Sequence, residues 1–322
     1  MSPRSTGPAG SQFEAKVGTH YALALLATTE PIGLPGDTIA RNEFQRGGQE
    51  HPLDDVIVHG KTNEGEDQCL EVQVKRAMAF TERDANFASI VEGGVSARKI
   101  EPDRRFAVAI ERTTGVIDNG VQEALELARQ TADVGSFLQL LGTPGRSNNE
   151  MRAFVAAFRT HLTAAGESGD ETLYQILRSF SVLTFDYARP NSIAEHHDRI
   201  RARQLASANG GPDPYDGIFG LVLRSDAIGG ELNRSELIAK LKELGISIGS
   251  APRLAVARSQ IEELSRHALD DIGVTVSECR LAREKPRREL EALLEGADTK
   301  GAVVEISGPG GTGKGTDHAG NL

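Results

Sequence analysis

Asp54-Asp55-Val56-Ile57-Val58-His59-Gly60, followed after a short charged stretch by Cys69-Leu70-Glu71-Val72-Gln73-Val74-Lys75-Arg76, decides the fold of this chain. The first run is apolar on both faces, which predicts a strand buried in the middle of a sheet. In the second run, side chains two residues apart share a face. Leu70, Val72 and Val74 therefore point into one layer, while Glu71, Gln73 and Lys75 form a polar file on the other. Residues 61–68, charged and containing a glycine, read as the turn between the two strands.

Upstream, Phe13, Val17, Tyr21, Leu25 and Leu26 fall on one face at helical spacing, so a helix is expected to open at Ser11 and to stop at Pro31–Gly36. The stretch before it, residues 1–10, is rich in Ser, Pro and Gly and reads as a flexible lead-in. Residues 37–44 supply a first strand. Downstream, Thr81 is expected to cap a helix with Asp84 three residues on, and Phe87, Ile90 and Val91 form its inner face. A fourth strand over 105–112 and a helix around 118–132 follow. This order predicts a single sheet flanked by helices. From about 149 to 295 the pattern turns helical. Met151, Phe154, Val155 and Phe158 share one face; Leu173, Ile176, Leu177 and Phe180 share a second; Leu237, Ile238, Leu241 and Leu244 form a third, stopped by Gly245. Such stripes are the core contacts of a helical bundle.

A chain of 322 residues has room for two domains, or for one with a helical extension. No apolar run is long enough for a transmembrane helix, and the N-terminus lacks the apolar stretch of a secretory signal. Cys69 and Cys279 make neither a disulfide framework nor a metal-ligand spacing, so a reducing, cytoplasmic setting is expected. A formal charge of -10 argues against a protein that coats nucleic acid non-specifically, yet leaves room for a local basic groove. Three basic clusters, Arg98-Lys99 with Arg104-Arg105, Arg199 to Arg203, and Arg280 to Arg288, read either as solvated helix faces or as binding tracks.

With Asp55 at the mouth of its strand, its carboxylate meets Gln73 and Lys75 on the next. Those residue types suit metal-dependent phosphodiester cleavage. Mg2+ prefers hard oxygen ligands and keeps several waters, and Asp55, the side-chain oxygen of Gln73 and the carbonyl of Val74 supply such an open site. The ion makes water more acidic and neutralises charge on the phosphate. Lys75 orients or helps deprotonate the attacking water and offsets the developing negative charge. Because Gln73 carries no charge, a further carboxylate is wanted, and Glu71 and Glu14 are the candidates; Asp54 competes with Asp55 as metal ligand. Plainer readings stand beside these: Glu14 lies three residues after Ser11, the spacing of a capping box, and Glu71 reads equally as a supporting or solvated strand residue.

Asp55-Val-Ile-Val followed by Gln73-Val-Lys75, with an opening helix that begins Phe13-Glu14, resembles the Mrr-type branch of the PD-(D/E)XK endonucleases, in which Gln replaces the acidic residue of the third motif. The chain is more similar still to the double-strand DNA endonuclease effector domains of bacterial antiviral systems, where Glu-x-Gln-x-Lys is followed by Phe-Thr-x-x-Asp, here Phe80 to Asp84. The resemblance covers about residues 10–160. It implies an α/β fold with a restriction-endonuclease-like mixed sheet flanked by helices, then a mostly helical region. It also implies cleavage of double-stranded DNA with Mg2+, and a homo-oligomer is expected. The alternative is a non-catalytic module that binds nucleic acid or drives oligomerisation.

The expected layout is a flexible N-terminus over 1–10, a nuclease domain over 11–160, a helical connector over 161–298 and a P-loop-like start over 299–322. In that last segment an apolar strand runs into Gly308-x-x-x-x-Gly313-Lys314, whose backbone N–H groups suit a phosphate cradle. Gly315 stands where the Mg2+-holding Ser/Thr belongs, and the sequence ends at Leu322, so nucleotide binding by this chain is not expected. The ending reads as the front of a longer protein, similar to the STAND-type NTPases that follow such nuclease domains; a Gly-rich tail is the simpler alternative.

Overall fold

Six short apolar stretches pair into one mixed sheet in the computed structural model. The structure describes residues 8–34, 36, 38–45, 51–62, 64–187, 189, 192–207, 212–249, 275–276 and 279–280. After α1 (Pro8–Ala27), β1 (Thr38–Phe44), β2 (Val56–Lys61) and β3 (Asp67–Lys75) form an antiparallel meander. α2 (Ala85–Ile100) then carries the chain back so that β4 (Arg105–Ile110) lies parallel to β3, as a parallel pair requires a crossover. A π-helical turn (Ile117–Gln122), α3 (Glu123–Gln130), α4 (Val134–Gly142), α5 (Asn149–Ala164) and α6 (Asp170–Ser179) lead to β5 (Phe180–Thr184), parallel to β4. α7 (Ile193–Leu205) and α8 (Pro214–Ile228) precede β6 (Glu231–Asn233), which closes the other edge against β1, and α9 (Arg234–Glu243) follows. The strand order is β5-β4-β3-β2-β1-β6, so the two strands read first in the sequence lie at the centre.

The period-two alternation of β3 sorts the core into two layers. Leu70, Val72 and Val74, with Val56, Val58, Ala107 and Ala109, pack beneath α1 and the residues of α7, α8 and α9. Phe106, Val108 and Ile110 pack on the opposite side with Phe87, Ile90 and Val91 of α2 and the residues of α3 to α6. Two glycines set how closely α2 approaches. A Cβ on Gly94 would lie 2.4 Å from the Phe106 ring, and one on Gly93 would lie 2.6 Å from Leu53. Leu53 directly precedes the Asp54-Asp55 pair, so this contact reaches the site.

Several expectations are corrected. α1 starts at Pro8 rather than Ser11, which puts Ser11 inside the helix and removes the capping-box explanation of Glu14. α1 is also apolar nearly all round, with residues 21–27 all buried, because it has the sheet on one side and α8 on another. Asp84, not Thr81, caps α2, accepting from the N–H groups of Asn86 and Phe87. Phe180 starts a strand rather than ending a helical stripe. The boundary expected at residue 160 falls inside one compact unit, Met1–Ala251, because β5 and β6 both join the sheet. Pro252–Leu322 is a second unit, in which β7 (Thr275–Val276) pairs with β8 (Cys279–Arg280). Gly308, Gly313 and Lys314 lie outside the described residues, as does the Arg280 to Arg288 cluster apart from the backbone of Arg280.

Candidate active site

β2 ends its approach to the sheet at Asp55, one residue before Val56, and the neighbouring β3 meets it there. Asp55 is buried, and its Oδ2 accepts the Val74 backbone N–H at 2.7 Å and the Gln73 side-chain amide. Its Oδ1 lies 3.5 Å from Gln45 Nε2. Burial pushes the Asp55 acid up to about 7, the charges of Glu14 and Asp54 push the same way, and Lys75 and the Val74 N–H pull against them. Asp54 is raised too, chiefly by burial, with Lys75 opposing and Glu71 adding to the rise. The structure thus brings Asp54, Asp55, Gln73, Lys75 and Glu14 into one electrostatic neighbourhood. Gln73 meets Asp55 through its amide nitrogen, which leaves its oxygen as the remaining acceptor.

Glu71 shares the β3 face with Gln73 and Lys75, yet its carboxylate is spent elsewhere. It is fully buried: Oε1 accepts from Arg104 Nη1 at 2.6 Å and lies 3.1 Å from His51 Nδ1, and Oε2 accepts the Leu53 N–H at 3.0 Å. Its role is to hold the 51–53 segment that delivers Asp54 and Asp55. Buried carboxylates persist only when paired and hydrogen-bonded in this way.

The donor set at Asp55 suits a hard cation. Two carboxylates resist ionisation because they are buried beside like charge, which a divalent ion relieves, and Asp54, Asp55, Glu14 and the Gln73 oxygen are all hard oxygen donors. Among the described residues, these carboxylates do not form a group of three with donor atoms within 4.8 Å; Glu43-His51-His59 and His51-Cys69-Glu71 do.

Among the described residues, members of the first two basic clusters find partners within the chain. Arg104 is the buried partner of Glu71, Lys99 pairs with Glu167 at 2.9 Å, and Arg98 donates to Ser179 at 2.5 Å. Arg199 contacts Glu195, Asp213 and Asp216 and stacks 4.3 Å from the Tyr215 ring centroid. The Phe80–Asp84 segment is structural: Phe80 holds a left-handed backbone (φ 53°) while its ring packs on Phe87 and Phe154, and His161 Nε2 lies 3.0 Å from the Thr81 carbonyl.

The residues that sequence reasoning passed over are His51, Arg104, Glu43 and His59. His59 was within reach, because period two puts it on the same face as Asp55. The register pairs it with Arg41 on one side and Cys69 on the other. His51 and Arg104 reach Glu71 from loops, and no local pattern announces such contacts.

No protein-family model matches the chain, and no curated protein matches it. Among solved structures, a Cap4 SAVED/CARF-domain containing receptor of Acinetobacter baumannii, with the cyclic trinucleotide 3'3'3'-cAAA, is similar at a TM-score of 0.41 and 11% identity, covering 74% of this chain and 49% of that one. The corresponding receptor of Moraxella osloensis is similar at a TM-score of 0.39 and 12% identity, covering 74% and 49%. The matched region spans about half the length of these receptors, at 49% in each. The functional reading therefore rests on the residues of the site.

Proposed function

We propose that this chain is a Mg2+-dependent endonuclease that cleaves double-stranded DNA, acting as the effector part of an antiviral defence protein. The observation that supports it is the buried Asp55 carboxylate, bonded to Val74 N–H and Gln73 and coupled in charge to Lys75. Mg2+, when bound, makes an attacking water more acidic and offsets charge on the phosphate. Asp55 would be the principal ligand, Asp54 and Glu14 would add negative charge around it, and Gln73 would offer its oxygen. Lys75 would orient the water and balance charge as the phosphodiester is attacked. Glu71 positions the loop that carries both aspartates. The defence setting follows from the motif resemblance.

Incubation of plasmid with the purified chain and Mg2+ tests this. Nicked or linear product is expected with Mg2+ and none with chelator. Lys75→Ala should lower cutting by about 100-fold or more, the scale of losing a charge-stabilising group, with DNA binding nearly intact. Equal cutting by Lys75→Ala refutes the assignment.

The second reading, a module that binds nucleic acid or assembles without catalysis, is favoured by one observation: Asp55 Oδ2 is already engaged by two donors of its own chain. Calorimetry discriminates, because such a module has no reason to hold Mg2+ in a way that Asp55→Ala destroys.

A further inference from the structure

A second group of donors lies on the same sheet face as Asp55 and has no place in that chemistry. In the β1–β2 register Arg41 pairs with His59 and Glu43 with Ile57, so Glu43 and His59 project from neighbouring strands on one face. His59 Nε2 lies 2.9 Å from Glu43 Oε1. His51 enters from the loop before β2, its ring centroid 5.9 Å from that of His59 and nearly perpendicular to it, with an interplanar angle of 86°. Glu43, His51 and His59 each offer one donor atom, all within 4.8 Å of one another. Zinc-class bonds of about 2.0–2.2 Å place such donors about 3–4 Å apart, so the cluster needs only a small closure.

The surroundings are those of a metal-binding histidine. With Nδ1 of His51 3.1 Å from Glu71 Oε1, Nε2 is the ring nitrogen left to serve as a ligand. A ligand histidine whose other nitrogen is held by a carboxylate is the recurring support of metal sites, because it fixes tautomer and ring orientation. Arg104 in turn pairs with Glu71 at 2.6 Å and gives that carboxylate its counter-charge. Two histidines and a carboxylate are donor types that a zinc-class ion takes.

One group opposes a cation here. Arg41 Nε lies 3.0 Å from Glu43 Oε1, and its Nη2 lies 3.4 Å from the His59 ring nitrogens. Arg41 is half-exposed and has Glu231 within 3.6 Å as another partner, so it has somewhere to go. Cys69, the neighbouring soft donor, groups with His51 and Glu71 rather than with Glu43 and His59.

We propose that Glu43, His51 and His59 bind a zinc-class divalent ion at a site separate from Asp55 and Lys75, and that this ion fastens the 51–55 loop to β1 and β2. Three protein ligands leave a fourth position for water. The site is independent of the nuclease reading and is tested without an activity assay.

The test is titration of the metal-free full chain with Co2+, read by its visible absorption, and then displacement by Zn2+. One equivalent of Co2+ giving a tetrahedral spectrum, bleached by Zn2+, is the expected result. His59→Gln and Glu43→Gln should each lose that spectrum at one equivalent while keeping the parent far-ultraviolet circular dichroism. Glu71→Gln, at the carboxylate that orients His51 and also pairs with Arg104 and Leu53, should weaken Co2+ binding by about 10–100-fold. Arg41→Gln should bind Co2+ more tightly than the parent, since a competing cation is gone, with circular dichroism confirming the parent fold. Asp55→Asn should leave the spectrum unchanged. Absence of stoichiometric Co2+ binding by the parent, an unaltered spectrum in His59→Gln, equal or weaker binding by Arg41→Gln, or loss of the spectrum in Asp55→Asn overturns the proposal.

Discussion

Glu71 accepts the backbone N–H of Leu53 at 3.0 Å, and this bond ties the polar file of β3 to the residue just before the two aspartates. The strand that carries Gln73 and Lys75 therefore also fixes the loop that carries Asp54 and Asp55. The two halves of the site are registered by a carboxylate that is fully buried and balanced by Arg104 at 2.6 Å. Gly93 completes the seat, since its missing Cβ leaves the space that Leu53 fills. A site made from two strands is only as well ordered as the connection between them, and here Glu71 makes it alongside the bonds of Asp55 to Val74 and Gln73.

Glu71→Ala should therefore cost stability and site geometry together. Removing Glu71 takes from Arg104 its 2.6 Å buried partner and leaves it the more exposed Glu101 at 3.3 Å, a loss approaching the about 3–5 kcal/mol of a broken buried pair. Replacing both, as Glu71→Leu with Arg104→Met, should cost less than the single change, because no buried charge is left alone. Urea unfolding of both variants against the parent decides it. A double variant less stable than Glu71→Ala contradicts the account.

Gly94→Ala should destabilise the fold where a surface glycine does not. Its Cβ would sit 2.4 Å from the Phe106 ring, a backbone-anchored clash with a fully buried aromatic. Overpacking of this kind costs about 1–3 kcal/mol. Gly142→Ala, with nothing within 4 Å of its Cβ, is the control and should be neutral within about 0.5 kcal/mol. Thermal unfolding of both variants against the parent is sufficient. Equal melting temperatures would show that α2 shifts to accommodate the methyl group.

The parts of the fold legible in the sequence are those whose burial repeats at a fixed period. β2 and β3 show it most clearly, because both lie at the sheet centre and their side chains have nowhere else to go. β5 was hidden because Leu173, Ile176, Leu177 and Phe180 continue a helical spacing across the join between α6 and the strand. β6 is three residues long, too short for any period to register. At the site, Asp55, Gln73 and Lys75 were legible because strand alternation and adjacency alone bring them together. The partnership of Glu71 with Arg104 spans 33 residues and that with His51 spans 20, distances at which a sequence carries no local trace. Glu14 shows the reverse case: a local pattern, the capping-box spacing from Ser11, offered an explanation that the position of α1 removes.

Asp55 gives a pH-dependent prediction whose sign follows from its raised acid constant, up from 3.8 to about 7. The folded chain holds this proton more tightly than the unfolded chain does, so the stabilisation is complete below about pH 3.8 and is lost as pH rises through about 7. Asp55→Asn has no such proton to lose. Relative to the parent, its stability should therefore improve steadily between pH 4 and pH 7 and level off above. Urea midpoints measured at several pH values across that window give the slope. Mg2+ should act in the opposite sense: at pH 8 the ionised carboxylate of the parent is the ligand, so millimolar Mg2+ should raise the parent's melting temperature. The Asn variant should not respond. If both chains rise equally with Mg2+, Asp55 is not what holds the ion, and if their stability difference is flat from pH 4 to pH 7, the Asp55 carboxyl is not held protonated by burial as its surroundings require.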